Sequence, residues 1–167
     1  MSEFDYVTKD FIKSHEFISD EPAVNYERQE QSFRFRPGVK LPPMPEDLQL
    51  TLRKKISGIV ATAFKNYDEV ESRCYINKDT MRTYLNGRRP INKYVIAKLC
   101  IGAKLSIEQA QELFKLCGCI MCPKLYRFDA IVVNAIECRD KIEDFYETTQ
   151  EYGFKDMWKK WDKLSRS

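Results

Sequence analysis

The chain has a single histidine, His15, and that scarcity excludes most nucleophilic and zinc chemistries, because Ser-His, Cys-His and His-ligated sites would all need the same residue. Glycine is also sparse. The six glycines, at 38, 58, 87, 102, 118 and 153, cannot assemble a G-x-G-x-x-G or G-x-x-x-x-G-K loop, so no cradle for nucleotide phosphates is expected. No apolar run reaches the 18 or so residues of a membrane-spanning helix. The first 30 residues carry acids where a secretory signal needs a basic and then an apolar stretch, so a cytoplasmic protein is expected. Acidic neighbours such as Glu46-Asp47 and Glu143-Asp144 diverge on a helix and build no acid-base pair. Neither enzymatic activity nor a cofactor is expected.

What is present describes a folded body. A chain of 167 residues with 43% hydrophobic and 13% aromatic side chains can bury a core, and 32% charged residues supply a soluble surface. The net charge of +3 is unevenly spread. Residues 1–44 hold 6 basic and 8 acidic side chains, residues 45–104 hold 12 and 6, and residues 105–167 hold 10 and 11. A positive middle third is the kind of footprint that nucleic acid attracts.

The expected fold is all-α: a compact bundle of short helices containing a helix-turn-helix, with an irregular N-terminal arm. Five of the seven prolines fall in the first 45 residues, which lack a sustained helical period, so residues 1–44 are read as an extended or partly disordered arm. Within it, Phe11, Ile12, Phe17 and Ile18 can share one short helical face, and Phe33-Arg34-Phe35-Arg36 alternates like a strand. The arm either wraps the body or docks on a protein partner, and it is not expected to complete the main core. Residues 45–117 are read as a five-helix domain, and residues 118–167 as a helical extension packed on it.

Each expected helix has its own start signal and apolar face. The first, from near Pro45, places Leu52, Ile56, Ile59, Val60, Ala63 and Phe64 on one side. The second is capped by Asn66 with Glu69 and buries Val70 and Cys74; the third starts at Asn77, buries Met81, Tyr84 and Leu85, and stops at Asn86-Gly87. A fourth starts near Asn92 and buries Val95, Ile96, Leu99, Cys100 and Ala103. In the fifth, Ser106 and Gln109 form a capping box, and Ile107, Ala110, Leu113, Phe114 and Leu116 or Cys117 face inward. Phe128, Ile131, Val132, Ala135 and Ile136 mark a sixth stripe; Asp140 with Glu143 opens a seventh, with Ile142, Phe145 and Tyr146 inward; Met157, Trp158, Trp161 and Leu164 mark a last one. Trp158 and Trp161 are read as a homodimer face or as closing the core.

Cys117, Cys119 and Cys122 form C-x-C-x-x-C. With no fourth ligand at a matching spacing, thiols packed as small apolar groups are expected in preference to a zinc site or a redox switch.

Helices two and three are joined by Tyr75-Ile76-Asn77 and followed by Arg88-Arg89-Pro90, a spacing that fits a helix-turn-helix. The run from Asn66 through Ala110 resembles the Cro/repressor (XRE-type) domain in its capped second helix, its I-N-K-D-T-M opening, its N-G-R-R exit and its S-I-E-Q start of helix five. Residues 50 to 153 are also similar to a helix-turn-helix-like module with an added C-terminal helical pair, found fused to macro domains and in small bacterial proteins. The first resemblance implies a sequence-specific binder of double-stranded DNA that regulates transcription. It assigns Lys78, Asp79, Thr80, Arg82 and Thr83 to the major groove and Tyr67, Asn86, Arg88, Arg89 and Lys93 to phosphates. Two positions depart from the family: Glu71 stands where a small Ala usually packs, so it must snorkel or pair, and Tyr75 stands where Gly usually makes the turn, at about 1 kcal/mol. The competing expectation is a protein-interaction adaptor that keeps the fold without the DNA surface.

Overall fold

A computed structural model describes residues 3–18 and 46–159, and these contain eight α-helices and no strand. They are α1 (Lys9–Ser14), α2 (Glu46–Ala63), α3 (Tyr67–Cys74), α4 (Lys78–Leu85), α5 (Lys93–Gly102), α6 (Ile107–Leu116), α7 (Arg127–Glu137) and α8 (Ile142–Glu151). A 3-10 turn follows at Asp156–Trp158. The all-α bundle anticipated from apolar spacing is therefore the observed architecture, while Phe33–Arg36, Trp161 and Leu164 lie outside the described residues.

Helices α3, α5 and α6 start where short polar side chains accept the first unpaired backbone N–H groups. Asn66 Oδ1 accepts from Glu69 N–H at 2.9 Å, Asn92 Oδ1 from Tyr94 and Val95 N–H at 3.0 and 3.1 Å, and Ser106 Oγ from Gln109 N–H at 3.2 Å. The last is a full capping box, because Gln109 Oε1 accepts from Ser106 N–H at 3.0 Å. The start of α8 lies one residue later than its acidic pair suggests: Asp144, not Glu143, accepts from Lys141 N–H at 3.2 Å. Asp140 instead lies beside Asp144, and its carboxyl is held above its ordinary value by burial and by that neighbouring charge.

The centre of the bundle is α5, whose residues from Tyr94 to Gly102 are all buried. It packs against α3, α6, α7 and α8, which joins the helices before it to those after it. Close contact at its C-terminal end requires glycine. A Cβ on Gly102 would collide with Cys74 Sγ and stand 2.6 Å from Arg73 O on α3. At the next turn Lys104 adopts φ 57° and its ammonium donates to Arg139 O at 2.9 Å and Asp140 O at 3.0 Å, just past the end of α7. A cation there also complements the negative end of the helix dipole.

The N-terminal segment departs from its expected role. Phe4, Val7 and Ile12 are buried, and α1 packs against α7. Asn134 Nδ2 donates to Val7 O at 3.1 Å, Arg127 Nε to Ile12 O at 3.2 Å, and His15 Nε2 to Lys124 O at 2.9 Å. Residues 3–18 thus complete the core, because the apolar face of α7 needs a cover that the other helices do not supply. Phe11 and Phe17 are half-buried at its margin, and Ile18 is exposed.

Trp158 is likewise a core residue and not part of a dimer face. It is fully buried, its Nε1–H donates to Thr149 Oγ1 at 2.8 Å, and it meets Tyr146 and Phe145 edge to face. Buried Lys98 stacks on its ring and donates to Met157 O.

Candidate nucleic-acid interface

The turn between α3 and α4 is built around Glu71 and Tyr75. Tyr75 takes the left-handed conformation, φ 54° and ψ 39°, and its N–H donates to Glu71 O at 3.0 Å. Its ring is retained edge to face by Tyr146 and Trp158 at 5.9 and 6.2 Å. Glu71 pairs as its position demands, with Oε1 accepting from Asn77 Nδ2 at 3.1 Å and from Lys78 N–H at 3.2 Å. A carboxylate there also faces the positive end of α4. Asn77 completes the start of α4 by accepting from Asp79 and Thr80 N–H at 2.9 and 3.3 Å.

Helix α4 packs chiefly on α2 and α3 and turns Met81 and Tyr84 inward. Asp79, Arg82 and Asn86 are exposed on its outer side, with Lys78, Thr80 and Thr83 half-buried beside them. The five residues assigned to the groove therefore share one short helix, but its charges are not idle. Lys78 Nζ lies 3.2 Å from Asp68 Oδ1, and Arg82 Nη1 lies 3.2 Å from Asp79 Oδ1. The Arg82 guanidinium is also 4.9 Å from the centre of the Tyr67 ring, so Tyr67 supports a groove candidate where a phosphate contact was expected. Exposed pairs of this kind contribute about 0–1 kcal/mol and exchange readily for a phosphate or a base edge.

The exit of α4 gathers cations around a glycine turn. Gly87 has φ 75°, its N–H donates to Tyr84 O at 3.1 Å, and Arg88 N–H donates to Thr83 O at 3.2 Å. Arg88 is exposed, and the Arg89 guanidinium lies 5.8 Å from the Tyr84 ring centre. Arg53, on α2, lies over the same turn: a Cβ on Gly87 would stand 3.1 Å from its Cζ. Among the described residues no carboxylate pairs with Arg53 or Arg88. Sequence reasoning missed Arg53, because nothing local in α2 signals that it meets a turn more than 30 residues downstream.

Lys93 does not belong to this surface. Its Nζ lies 3.6 Å from the buried Asp129 carboxylate and over the rings of Tyr94, Tyr126 and Phe128. Asp129 Oδ2 in turn accepts from Cys122 N–H at 2.9 Å, so the pair ties the start of α5 to the 118–126 loop.

No family model matches the chain, nor does any curated protein or solved structure.

The C-x-C-x-x-C cysteines lie at the end of α6 and in the connection from α6 to α7. Cys117 and Cys119 flank Gly118, which has φ 86°, and no group of three metal-ligating side chains converges among the described residues. The Cys119 thiol is held below its ordinary value by a hydrogen bond from Cys117, helped by the Lys93 ammonium against the opposing effect of burial. Cys117 is correspondingly pushed up by that same hydrogen bond and by burial. A cavity of about 700 Å³ lies between the α5–α6 turn and the end of α7, lined by Glu3, Lys104, Ser106, Glu108, Arg139 and Asp140 among others. It includes none of the residues assigned to DNA.

Proposed function

We propose that this chain is a sequence-specific DNA-binding regulator that sets α4 in the major groove of a duplex and holds the flanking phosphates at the helix exit. The observation that carries this reading is the joint placement of an outward helix face bearing Asp79, Arg82 and Asn86 and a glycine turn surrounded by Arg53, Arg88 and Arg89. A short helix on the edge of a bundle can enter a groove about 12 Å wide, and cations at its end meet the backbone on either side. The resemblance of residues 66–110 to Cro/repressor domains points the same way. Such domains reach specific affinity by pairing half-sites, so a homodimer belongs to the proposal, through a face other than Trp158.

The test compares two kinds of variant by titrating labelled duplexes at several salt concentrations. Replacing Arg88 and Arg89 together by Ala should weaken binding to all duplexes alike and reduce the log-log salt slope by roughly 2. Replacing Lys78 or Arg82 should cost about 1–3 kcal/mol on a preferred site and less on random duplex.

A second reading, a protein-interaction adaptor, is favoured by one observation: Ile18, Ile120, Leu125 and Tyr126 are exposed apolar groups, with Ile120 84% accessible, and Ile18 N–H bonds to Leu125 O at 2.8 Å. Absence of duplex binding at about 50 mM salt would transfer the proposal to that class.

A further inference from the structure

We propose that Arg82 reads a guanine, with Asp79 and Tyr67 acting as positioning residues that hold its guanidinium for that contact. This inference rests on the DNA-binding reading above and names the base that the site selects. The guanidinium has a neighbour on each of two sides. Its Cζ lies 4.9 Å from the centre of the Tyr67 ring on α3, and its Nη1 meets Asp79 Oδ1 at 3.2 Å, one turn earlier on α4. What remains is the Nε–Nη2 edge, two parallel N–H groups for which no acceptor stands among the described residues. The side chain is 52% accessible, which leaves the guanidinium within reach of a ligand.

Two parallel donors about one base edge wide match one partner in the major groove, the O6 and N7 acceptors of guanine. Adenine presents a donor where guanine has O6, and thymine and cytosine offer no such acceptor pair. Arginine in water loses much rotamer freedom when it takes up this geometry, and a side chain already held by a ring and a carboxylate loses less. Asp79 also disfavours phosphate near the same position, which steers Arg82 toward the groove floor and away from the backbone.

The experiment uses the full chain. Duplexes are selected from a random pool at about 50 mM salt, and each guanine of the enriched sequence is replaced in turn by 7-deazaguanine, which lacks N7, or by inosine, which keeps both O6 and N7. At one guanine of each site, 7-deazaguanine should weaken binding about tenfold and inosine should leave it unchanged. Asp79→Asn and Tyr67→Ala should each reduce that tenfold ratio to about threefold or less, and Tyr67→Phe should restore it. Circular dichroism establishes that each variant is folded before its ratio is read. If the wild type binds duplex with a salt slope that depends on Arg88 and Arg89, yet no guanine is sensitive to 7-deaza replacement, the guanine assignment falls and the DNA reading stands. Sensitivity that survives Arg82→Ala overturns it equally. No binding to any duplex removes both.

Discussion

Glu71 reaches across the turn to Asn77, taking the Nδ2–H of its side chain at 3.1 Å while Asn77 Oδ1 accepts from the first N–H groups of α4. One carboxylate on α3 thereby orients the residue that starts α4. This coupling links the last turn of α3 to the first turn of α4. Glu71→Ala should therefore cost about 1 kcal/mol in urea unfolding, in the range of a lost helix cap, and should weaken duplex binding beyond that loss. Glu71→Gln keeps an acceptor for both donors and should recover most of the stability. Equal stability of the alanine variant and the wild type would show that the contact is incidental.

Tyr75 presents a choice between two effects of similar size. Tyr75→Gly relieves a left-handed residue, which returns about 1–2 kcal/mol, but it removes two edge-to-face contacts, each contributing about 0.5–1.5 kcal/mol beyond the buried area of the ring. With the area included, packing outweighs strain. The glycine variant should be less stable than wild type and Tyr75→Phe close to it, as read from thermal melting. A stabilised glycine variant would mean that the backbone strain is the larger quantity.

At Gly102 there is no such balance. The added methyl of Gly102→Ala meets the Cys74 sulfur and the Arg73 carbonyl, a backbone atom that cannot move aside without shifting α3. A loss of about 1–3 kcal/mol is expected, the range for overpacking a close-packed core. Since Arg73 and Cys74 immediately precede the turn into α4, binding of a preferred duplex should fall along with stability.

Residues 3–18 cover α7, so truncation should be felt throughout the bundle. Ile12→Ala should cost about 2 kcal/mol or more, and removal of residues 1–18 should lower the melting temperature by several degrees. A truncated chain that melts at the wild-type temperature would show that α1 only rests on the surface.

The six thiols should separate by reactivity. Alkylation followed by peptide mapping across pH should modify Cys119 at lower pH than an ordinary thiol, with exposed Cys138 as the internal comparison. Cys74, whose thiol is pushed up to about 12 by burial, and Cys100, also raised by burial, should react only on unfolding. Cys117→Ala removes the hydrogen-bond donor that favours the Cys119 thiolate, so the Cys119 profile should move to higher pH. An unchanged profile would place the cause elsewhere.

What the sequence by itself determined is local. Asn66, Asn77, Asn92 and Ser106 start helices because an acceptor two or three residues before the first free N–H groups is a short-range arrangement, and Gly87, Gly118 and Gly153 follow helix ends with φ near 75–87° for the same reason. The inward residues of α2 through α8 follow from a helical period that needs no knowledge of the partner. Tertiary structure alone decided which faces meet. It joined the N-terminal segment to α7, Lys93 to Asp129, Arg53 to the Gly87 turn and Trp158 to Thr149. Those pairings depend on contacts between elements far apart in the chain, where helical period and caps carry no information. They moved Lys93 and Trp158 out of the roles their neighbours suggested and placed Tyr67 beneath Arg82, because a side chain takes the partner that packing supplies.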